Sequence, residues 1–350
     1  CDHIAMRDNY GIRGLDGYAY LLTSLDVGTR FMACDPATSL SQHETYMLLQ
    51  DFVYDKYVKL AYSDSYQSIR GAFYDLCICW EPSQPGVHHS NAIIERLNLT
   101  TELGMRSILR AAGLPACFWP YAAPYYAFMH KIEDDEELDK TSPWFKKFNS
   151  EFTGKRIPFG AGVYFLPAPT KYKNSKAAAS LSFGVFLGYR TKPGGWWNSE
   201  YIVCDLDDFV GGSLSMDAPG TSWRLWPHIT EQVVKPEGDS WTFPLKSKYL
   251  ETNNTLDGRS AVWGEDYGIG ADEIKEIAEG VGEKSKQEIK TVGQDSSGGA
   301  PLGSALNPYP TGSSETSSSS GGSGGQPPSG AQVKSATEVK HAIGPRPLSE

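Results

Sequence analysis

Apolar positions along the first 80 residues change repeatedly between strand spacing and helical spacing. Apolar runs bounded by Gly, Pro, Asn and Asp indicate strands, and apolar residues three and four positions apart indicate helices. The predicted elements are a β-hairpin over 17–36 with its turn at 26–29, a helix over 39–54, a strand over 58–62, a helix over 67–74 and a strand over 76–80. Strands that alternate with helices indicate an α/β sheet.

A long amphipathic helix is predicted over 91–112, followed by an aromatic-rich helix over 118–132. At about 100° per residue, one mostly apolar stripe lies between about 160° and 280° from Glu95 and is expected to be buried. This stripe consists of Ile93, Ile94, Leu97, Gly104, Met105, Ile108 and Ala111. The face within about 60° of Glu95 is expected to be exposed, and it carries Asn98, Glu102, Arg106 and Arg110.

Changes in composition divide the chain into segments. The acidic run at 133–137 is too concentrated for a core element and marks a linker. After residue 157, short strands bounded by Gly, Pro and Asn predict a small barrel. Beyond about residue 280 large apolar residues almost vanish, which predicts disorder. The predicted organisation is an α/β core over 1–132, a linker over 133–154, a β domain over 155–236 and a mostly disordered Gly/Ser/Pro-rich tail over 237–350.

Composition narrows the class of protein. The 350 residues are 40% hydrophobic and 12% aromatic, which is enough to bury a core. No apolar run approaches the ~20 residues that span a bilayer, so no membrane contact is expected. The chain begins at Cys1 without a signal peptide, and we interpret it as a fragment of an intracellular protein. Its six cysteines lack a C-x-x-C pair, which indicates reduced thiols, and Cys77 and Cys79 are expected in the core.

The net charge of −10 argues against a uniform nucleic-acid-binding surface, but the charge is unevenly distributed. Residues 201–350 carry −9, whereas residues 151–200 carry +5. The basic segment is either a solvated surface or a site for an anionic partner.

Three acids stand at positions suited to catalysis. Asp64 directly follows a predicted buried strand, where side chains project into the cleft of an open α/β sheet. Glu95 lies on the exposed face of the long helix, and Asp2 lies in a short segment that fits a strand. Taken alone, each acid is more typical of an ordinary surface than of a catalyst, so a shared pattern is needed.

Read in order, the segments CDHIAM, SLDVGT, AYSDSY, SNAIIERLN, AGLPACFWPYA and FGVFLGYR supply that pattern. Together they resemble the integrase core of copia-type retrotransposons, over about residues 1–236. The resemblance implies an RNase H-like mixed sheet flanked by helices, followed by a small SH3-like β-barrel. In that family an Asp on the first strand, an Asp after a later strand and a Glu in an N-G-x-x-E-R-x-N helix start form the metal-binding triad. Asp2, Asp64 and Glu95 occupy the matching positions, whereas Asp26 matches a position that is usually structural.

The resemblance implies a metal-dependent polynucleotidyl transferase that processes DNA 3′ ends and transfers strands. Two Mg²⁺ or Mn²⁺ ions ~3.5–4 Å apart would activate the attacking oxygen and stabilise the leaving one. Asp2 would bridge both ions, and Asp64 and Glu95 would each complete one site. The implied partners are the element's DNA ends and the target DNA, bound by a homo-oligomer in the nucleus.

DNA is expected to lie against the Glu95 face of the long helix, where basic and amide side chains contact phosphates. The predicted DNA-binding residues are Asn91, Arg96, Asn98, Arg106, Arg110, Lys155, Arg156, Lys171 and Lys173.

The sequence also departs from the family pattern. The usual D-N-G is Asp64-Ser65-Tyr66, Ala92 replaces the glycine after Asn91, and little of the first strand precedes Asp2. These departures favour one alternative, a decayed, noncatalytic DNA-binding or interaction module that retains the fold. An RNase H-like nuclease is another alternative, because nuclease and transferase use the same acids.

Overall fold

The computed structural model describes residues 1–6, 13–83, 92–167, 180–254 and Lys275. The helices are α1 (Gln42–Val53), α2 (Gln67–Asp75), α3 (Ala92–Ala112), α4 (Trp119–Ile132), α5 (Pro143–Phe148) and α6 (Lys246–Asn254). The strands are β1 (Asp2–Ala5), β2 (Tyr20–Asp26), β3 (Phe31–Ala37), β4 (Ala61–Ser63), β5 (Trp80–Pro82), β6 (Gly162–Phe165), β7 (Ser182–Thr191), β8 (Trp197–Asp205), β9 (His228–Thr230) and β10 (Val233–Val234). The predicted mixed α/β class is confirmed.

The N-terminal part contains a three-stranded antiparallel sheet and a separate parallel pair. The sheet has the order β1-β2-β3, with Asp2 opposite Thr23, and the predicted hairpin is its β2–β3 unit. Strands β4 and β5 pair in parallel. The backbone amine of Cys1 donates to the carbonyl of Tyr62 at 3.1 Å, so β1 borders β4. The strands that were predicted to form one mixed sheet therefore form two short sheets, β1-β2-β3 and β4-β5, which lie side by side.

Strand β2 carries apolar side chains on both of its faces, because successive side chains of a strand point to opposite sides. Leu21 belongs to a cluster with residues of α3 and α4, whereas Leu22 belongs to a cluster with residues of α1 and α2. Helices therefore cover both faces of this sheet.

Helix α3 is rotated relative to the predicted orientation. Its buried residues are Ile94, Thr101, Met105, Leu109 and Ala112. Ile93 is 59% exposed and Ala111 is exposed, although both were predicted to be buried. Gly104, which was predicted to be buried, lies against α4, since an added Cβ there would lie 2.2 Å from the ring of Tyr126. The observed orientation places Asn98 within hydrogen-bond distance of Asp2.

Cys77 and Cys79, which were predicted to be buried in a strand, are both exposed. Cys77 lies just after α2 with a φ of 55°, outside the β region. Because the chain turns there, the strand predicted over 76–80 begins only at Trp80.

The C-terminal part is a five-stranded antiparallel sheet with the order β10-β6-β7-β8-β9. Helix α4 packs on it, and the Tyr125 ring contacts the rings of Phe186 and Tyr189. The Tyr125 hydroxyl donates to the Ile157 carbonyl at 3.0 Å, which ties α4 to the start of the β part. One apolar cluster thus extends from β2 to β8, and all these residues lie in one compact unit, Cys1–Ser297.

Two predicted boundaries fall inside this core. The predicted linker, 133–154, contains α5, whose Trp144 is buried. The predicted tail begins at 237, but Leu245 and Tyr249 are buried in the same cluster. Apolar side chains in both segments therefore pack on the core. From residue 255 onward, the predicted tail lies outside the described residues except for Lys275. No helix within the described ranges has both the length and the apolarity needed to cross a membrane.

Replacing Gly113 with alanine is expected to separate α6 from the end of α3. Gly113 has a φ of +75°, and an added Cβ would lie 2.4 Å from Cα of Lys246. A left-handed non-glycine residue costs about 1–3 kcal/mol, and backbone overlap adds to this. Gly17→Ala is the matched control, because Gly17 has a φ of +79° with nothing within 4 Å of its added Cβ. Urea unfolding should show a larger loss for Gly113→Ala, and equal losses would contradict the contact.

Candidate active site

Two of the three predicted acids lie on neighbouring strands. Asp2 begins β1, and Asp64 directly follows β4. Because the Cys1 amine bonds to Tyr62, the start of β1 lies beside the end of β4. The fold therefore brings together two carboxylates that are 62 residues apart in the sequence.

The electrostatic environment of Asp2 is unfavourable for its negative charge. Burial raises the pKa of Asp2, and the neighbouring Asp64 carboxylate raises it further. Two donors act in the opposite direction. The backbone N–H of His3 donates to Oδ1 of Asp2 at 2.8 Å, and Nδ2 of Asn98 donates to Oδ2 at 2.8 Å. Asp2 is thus held in a fixed orientation next to a like charge that a cation would relieve.

Asn98 connects α3 to the sheet. Its Oδ1 accepts a hydrogen bond from Oγ1 of Thr23 at 2.7 Å, and Thr23 is fully buried. The same hydroxyl lies 3.2 Å from the backbone carbonyl of Asp2. We predicted that Asn98 would face DNA, but the rotation of α3 makes it half-buried and bonded to Asp2. It therefore acts as a positioning residue for Asp2.

Glu95 is exposed on α3, three residues before Asn98. Residues three apart on a helix are neighbours, about 5–6 Å apart at Cβ, so the hydrogen bond from Asn98 to Asp2 anchors the turn of α3 that also carries Glu95. Within the described residues, no cluster of three or more His, Cys, Asp or Glu side chains is arranged to hold a metal. The Asp2–Asp64 pair has the oxygen donors that Mg²⁺ prefers, and Glu95 does not complete a three-acid cluster with this pair.

The predicted DNA-binding residues fall into three groups. Arg96, Arg106 and Arg110 are exposed on α3, as predicted, although Arg106 forms an ion pair with Glu102 at 3.0 Å. Lys155 and Arg156 are folded back onto the protein, where Lys155 Nζ donates to the Val233 carbonyl at 2.6 Å and Arg156 donates to the Ile132 carbonyl at 2.9 Å. These hydrogen bonds tie segments of the core together, and both residues remain exposed. Asn91, Lys171 and Lys173 lie outside the described residues.

Thr23 and His3 belong to the surroundings of the acids, although the sequence did not single them out. His3 Nε2 lies 3.2 Å from Oγ1 of Thr45, and its Nδ1 has no hydrogen-bond partner in the part of the chain described. Burial lowers the pKa of His3 to about 4, so the ring is neutral at neutral pH. Thr23 lies on β2 directly opposite Asp2, and this neighbour is known only once the register of β1 against β2 is known.

Asp26 has a structural role in its turn. Its Oδ1 accepts from the backbone N–H of Gly28 at 3.0 Å, and its Oδ2 accepts from the Thr29 hydroxyl at 2.7 Å. Both carboxylate oxygens thus stabilise the β2–β3 turn, as expected of a non-catalytic acid at this position.

Replacing Asn98 with alanine is expected to weaken Mn²⁺ binding by about 10–100-fold, the usual effect of removing a partner that orients a ligand. Without the Nδ2 donor, the pKa of Asp2 rises further and its carboxylate is free to rotate. Calorimetric titration of the full chain with MnCl₂ measures the change. Ser107→Ala on α3 is the control, since the Ser107 hydroxyl bonds to the Leu103 carbonyl of its own helix. Equal affinities for the two variants would contradict the positioning role.

The chain matches no protein-family model, and a search of curated proteins finds no significant match. The interpretation of the site therefore depends on the contacts of Asp2, Asp64 and Asn98 themselves.

Proposed function

We propose that this chain carries the catalytic core of an integrase-type polynucleotidyl transferase, which joins DNA strands in a metal-dependent reaction. The observation that carries the proposal is the pair formed by Asp2 and Asp64 on adjacent strands, with burial and like charge raising the pKa of Asp2. Perturbed carboxylates of this kind are concentrated at functional sites.

The fold supports the same proposal. An antiparallel β3-β2-β1 sheet, a neighbouring parallel β4-β5 pair and helices on both faces are compatible with an RNase H-like core. The five-stranded antiparallel sheet that follows is compatible with an SH3-like domain. In this proposal the RNase H-like part and the SH3-like part share one apolar core, and this core holds the two parts together.

The three acids would supply the oxygen ligands of the metal ions. Asp2 and Asp64 would hold Mg²⁺ or Mn²⁺, and Glu95 would add a third carboxylate from α3. When bound, such ions activate an attacking oxygen and stabilise the leaving oxygen. Asn98 keeps the Asp2 carboxylate in one orientation throughout. A DNA 3′ hydroxyl forms a new bond to phosphorus as the bond to the target's 3′ oxygen breaks, so the number of phosphodiester bonds is unchanged.

DNA is the proposed partner, both as element ends and as target. The exposed arginines of α3, Arg96, Arg106 and Arg110, would contact its phosphates on either side of Glu95. We infer a homo-oligomer on DNA, acting in the nucleus, from the resemblance to copia-type integrases.

A strand-joining assay tests the proposal. The full chain is incubated with MnCl₂, a labelled duplex carrying a free 3′ hydroxyl and a supercoiled plasmid. We expect covalently labelled plasmid, lost in Asp64→Asn and Glu95→Gln but retained in Glu102→Gln, which changes an acid elsewhere on α3. Plasmid nicking without joining would identify an RNase H-like nuclease instead. The absence of both nicked and joined plasmid would contradict the proposed transferase activity.

One observation favours a noncatalytic module as the second candidate. Both carboxylate oxygens of Asp2 already accept hydrogen bonds, from His3 N–H and from Asn98 Nδ2, and among the described residues Glu95 does not complete a three-acid metal cluster with the pair. A decayed module would bind DNA equally well in EDTA and in MnCl₂, and Asp64→Asn would leave that binding unchanged. A metal-dependent increase in affinity would exclude this candidate.

A further inference from the structure

A cavity of about 930 Å³ lies on the α1 side of the first sheet. It is enclosed by the end of β2, the C-terminal turn of α1, the connection over 54–60, strand β4 and the start of α3. This volume is within the range of about 300–1,000 Å³ that is typical of small-molecule sites.

The interior of the cavity is mainly apolar. Its walls include Leu25, Leu49, Phe52, Val53, Phe73 and Ile78. One polar group is set into this surface. The Ser24 side chain is 2% exposed, lines the cavity, and its hydroxyl has no hydrogen-bond partner among the described residues. A buried hydroxyl without a partner is costly to maintain and marks a place where a ligand atom would be stabilised.

The rim of the cavity is basic. Lys56, Lys59, Lys146 and Lys147 line it. Lys147 Nζ lies 3.8 Å from the centre of the Phe31 ring, and within the described residues it forms no ion pair with a carboxylate. Burial lowers the pKa of Lys147 to about 8, so an anion beside it would stabilise its charged form.

Lys56 is paired with Asp55 at 3.7 Å. The lining acid Asp26 and Asp55 both favour the charged form of Lys147 without forming an ion pair with it. Both carboxylate oxygens of Asp26 are engaged within the β2–β3 turn. The lysine rim therefore lies above an apolar chamber without a paired acid at Lys147, and this combination fits a ligand with one anionic end.

We propose that this cavity binds an amphipathic organic acid, a carboxylate attached to an apolar body of acyl or aryl type. The carboxylate would meet Lys147 at the rim, the apolar body would fill the chamber, and a polar atom would reach the Ser24 hydroxyl. The cavity borders the acid pair through Cys1 and Tyr62, but neither Asp2 nor Asp64 lines it. The inference does not rest on DNA joining.

Calorimetric titration of the full chain with decanoate, and in parallel with 1-naphthoate, tests the site. We expect saturable one-to-one binding of at least one of the two acids and no binding of decylammonium, which has the same apolar length and the opposite charge. Lys147→Gln should weaken binding about tenfold or more, because hydrogen bonds to charged groups are the strong ones.

Ser24→Ala gives a test that is independent of folding. Because this hydroxyl lacks a partner in the free chain, the variant should be no less stable than wild type, yet it should bind the acid several-fold more weakly. Val53→Trp should abolish binding by filling the chamber. The control is Lys235→Gln, which changes a lysine that contacts an aromatic ring, Trp241, away from the cavity. Circular dichroism verifies that each variant is folded.

Three results would overturn the proposal. The first is no saturable binding of either acid to the folded chain, and the second is equal binding of decanoate and decylammonium. The third is a mass in sedimentation that doubles with concentration and returns to that of a single chain in Val53→Trp, since the cavity would then be covered by a second copy of this chain.

Discussion

Replacing Asp64 with asparagine is expected to abolish Mn²⁺ binding and at the same time to raise the stability of the metal-free chain at neutral pH. The variant removes a carboxylate oxygen of the proposed metal site, and it also removes the negative charge that raises the pKa of Asp2. Stability and function thus change in opposite directions, as expected where like charges are held together for a ligand.

The pH dependence of this effect follows from the direction of the pKa shift. The folded chain raises the pKa of Asp2 above its value in the unfolded chain, so the folded state favours the protonated carboxyl. The resulting stabilisation is complete below the unfolded pKa of about 3.9 and is lost as pH rises through the folded pKa. Asp64→Asn reduces this loss. The difference in the free energy of unfolding between variant and wild type should therefore increase as pH rises above about 4. It should stay below about 1 kcal/mol because solvent screens the interaction of a half-buried pair.

Urea unfolding in EDTA at pH 4 and pH 7.5, together with MnCl₂ calorimetry, measures both changes. Asp26→Asn is the control, since its carboxylate holds the β2–β3 turn and its removal should destabilise the chain without affecting Mn²⁺ affinity. Undiminished Mn²⁺ binding by Asp64→Asn would contradict the assignment of the acid pair. A loss of stability at neutral pH would contradict the electrostatic argument.

Local patterns predicted the elements but not the way they pack. The spacing of apolar residues placed α1, α3 and α4 closely, because helical periodicity depends on neighbours within the same segment. It did not predict the rotation of α3, which buries Thr101 and Leu109 and leaves Ile93 exposed. The partners of Asn98 followed from that rotation, and a helical wheel contains no information about a neighbouring helix.

The candidate site shows the same limit. The positions of Asp2 and Asp64 were predicted, and the structure brings them together, but Thr23 entered only through the register of β1 against β2. Lys155 and Arg156 were predicted to contact DNA and are exposed, but the sequence did not indicate that each side chain also bonds to a backbone carbonyl. Charge in a sequence identifies a basic segment, whereas the direction of each side chain depends on distant residues such as Val233.

Phe128→Ala is expected to destabilise the whole described structure, because Phe128 joins its two parts. It is 2% exposed and stacks on Tyr189 of β7 with ring centres 4.1 Å apart. It also contacts the rings of Trp144 and Phe152 in the predicted linker, 5.9 and 5.4 Å away. Truncation of a buried phenylalanine costs about 3–5 kcal/mol, a large share of the roughly 5–15 kcal/mol that stabilises a native domain.

Comparing the unfolding transitions seen by two probes distinguishes one continuous core from two independent domains. If helix α4 is part of one continuous core, far-UV circular dichroism and tryptophan fluorescence should both shift to lower urea by the same amount in Phe128→Ala, with coincident transitions. Tyr74→Ala is the control, because Tyr74 is 83% exposed and its removal should change stability by no more than about 0.5 kcal/mol. Separate transitions for the two probes would show that 1–132 and 155–236 are independent folding units. In that case the aromatic contacts of Phe128 with Tyr189 would form an interface between domains and not the interior of one.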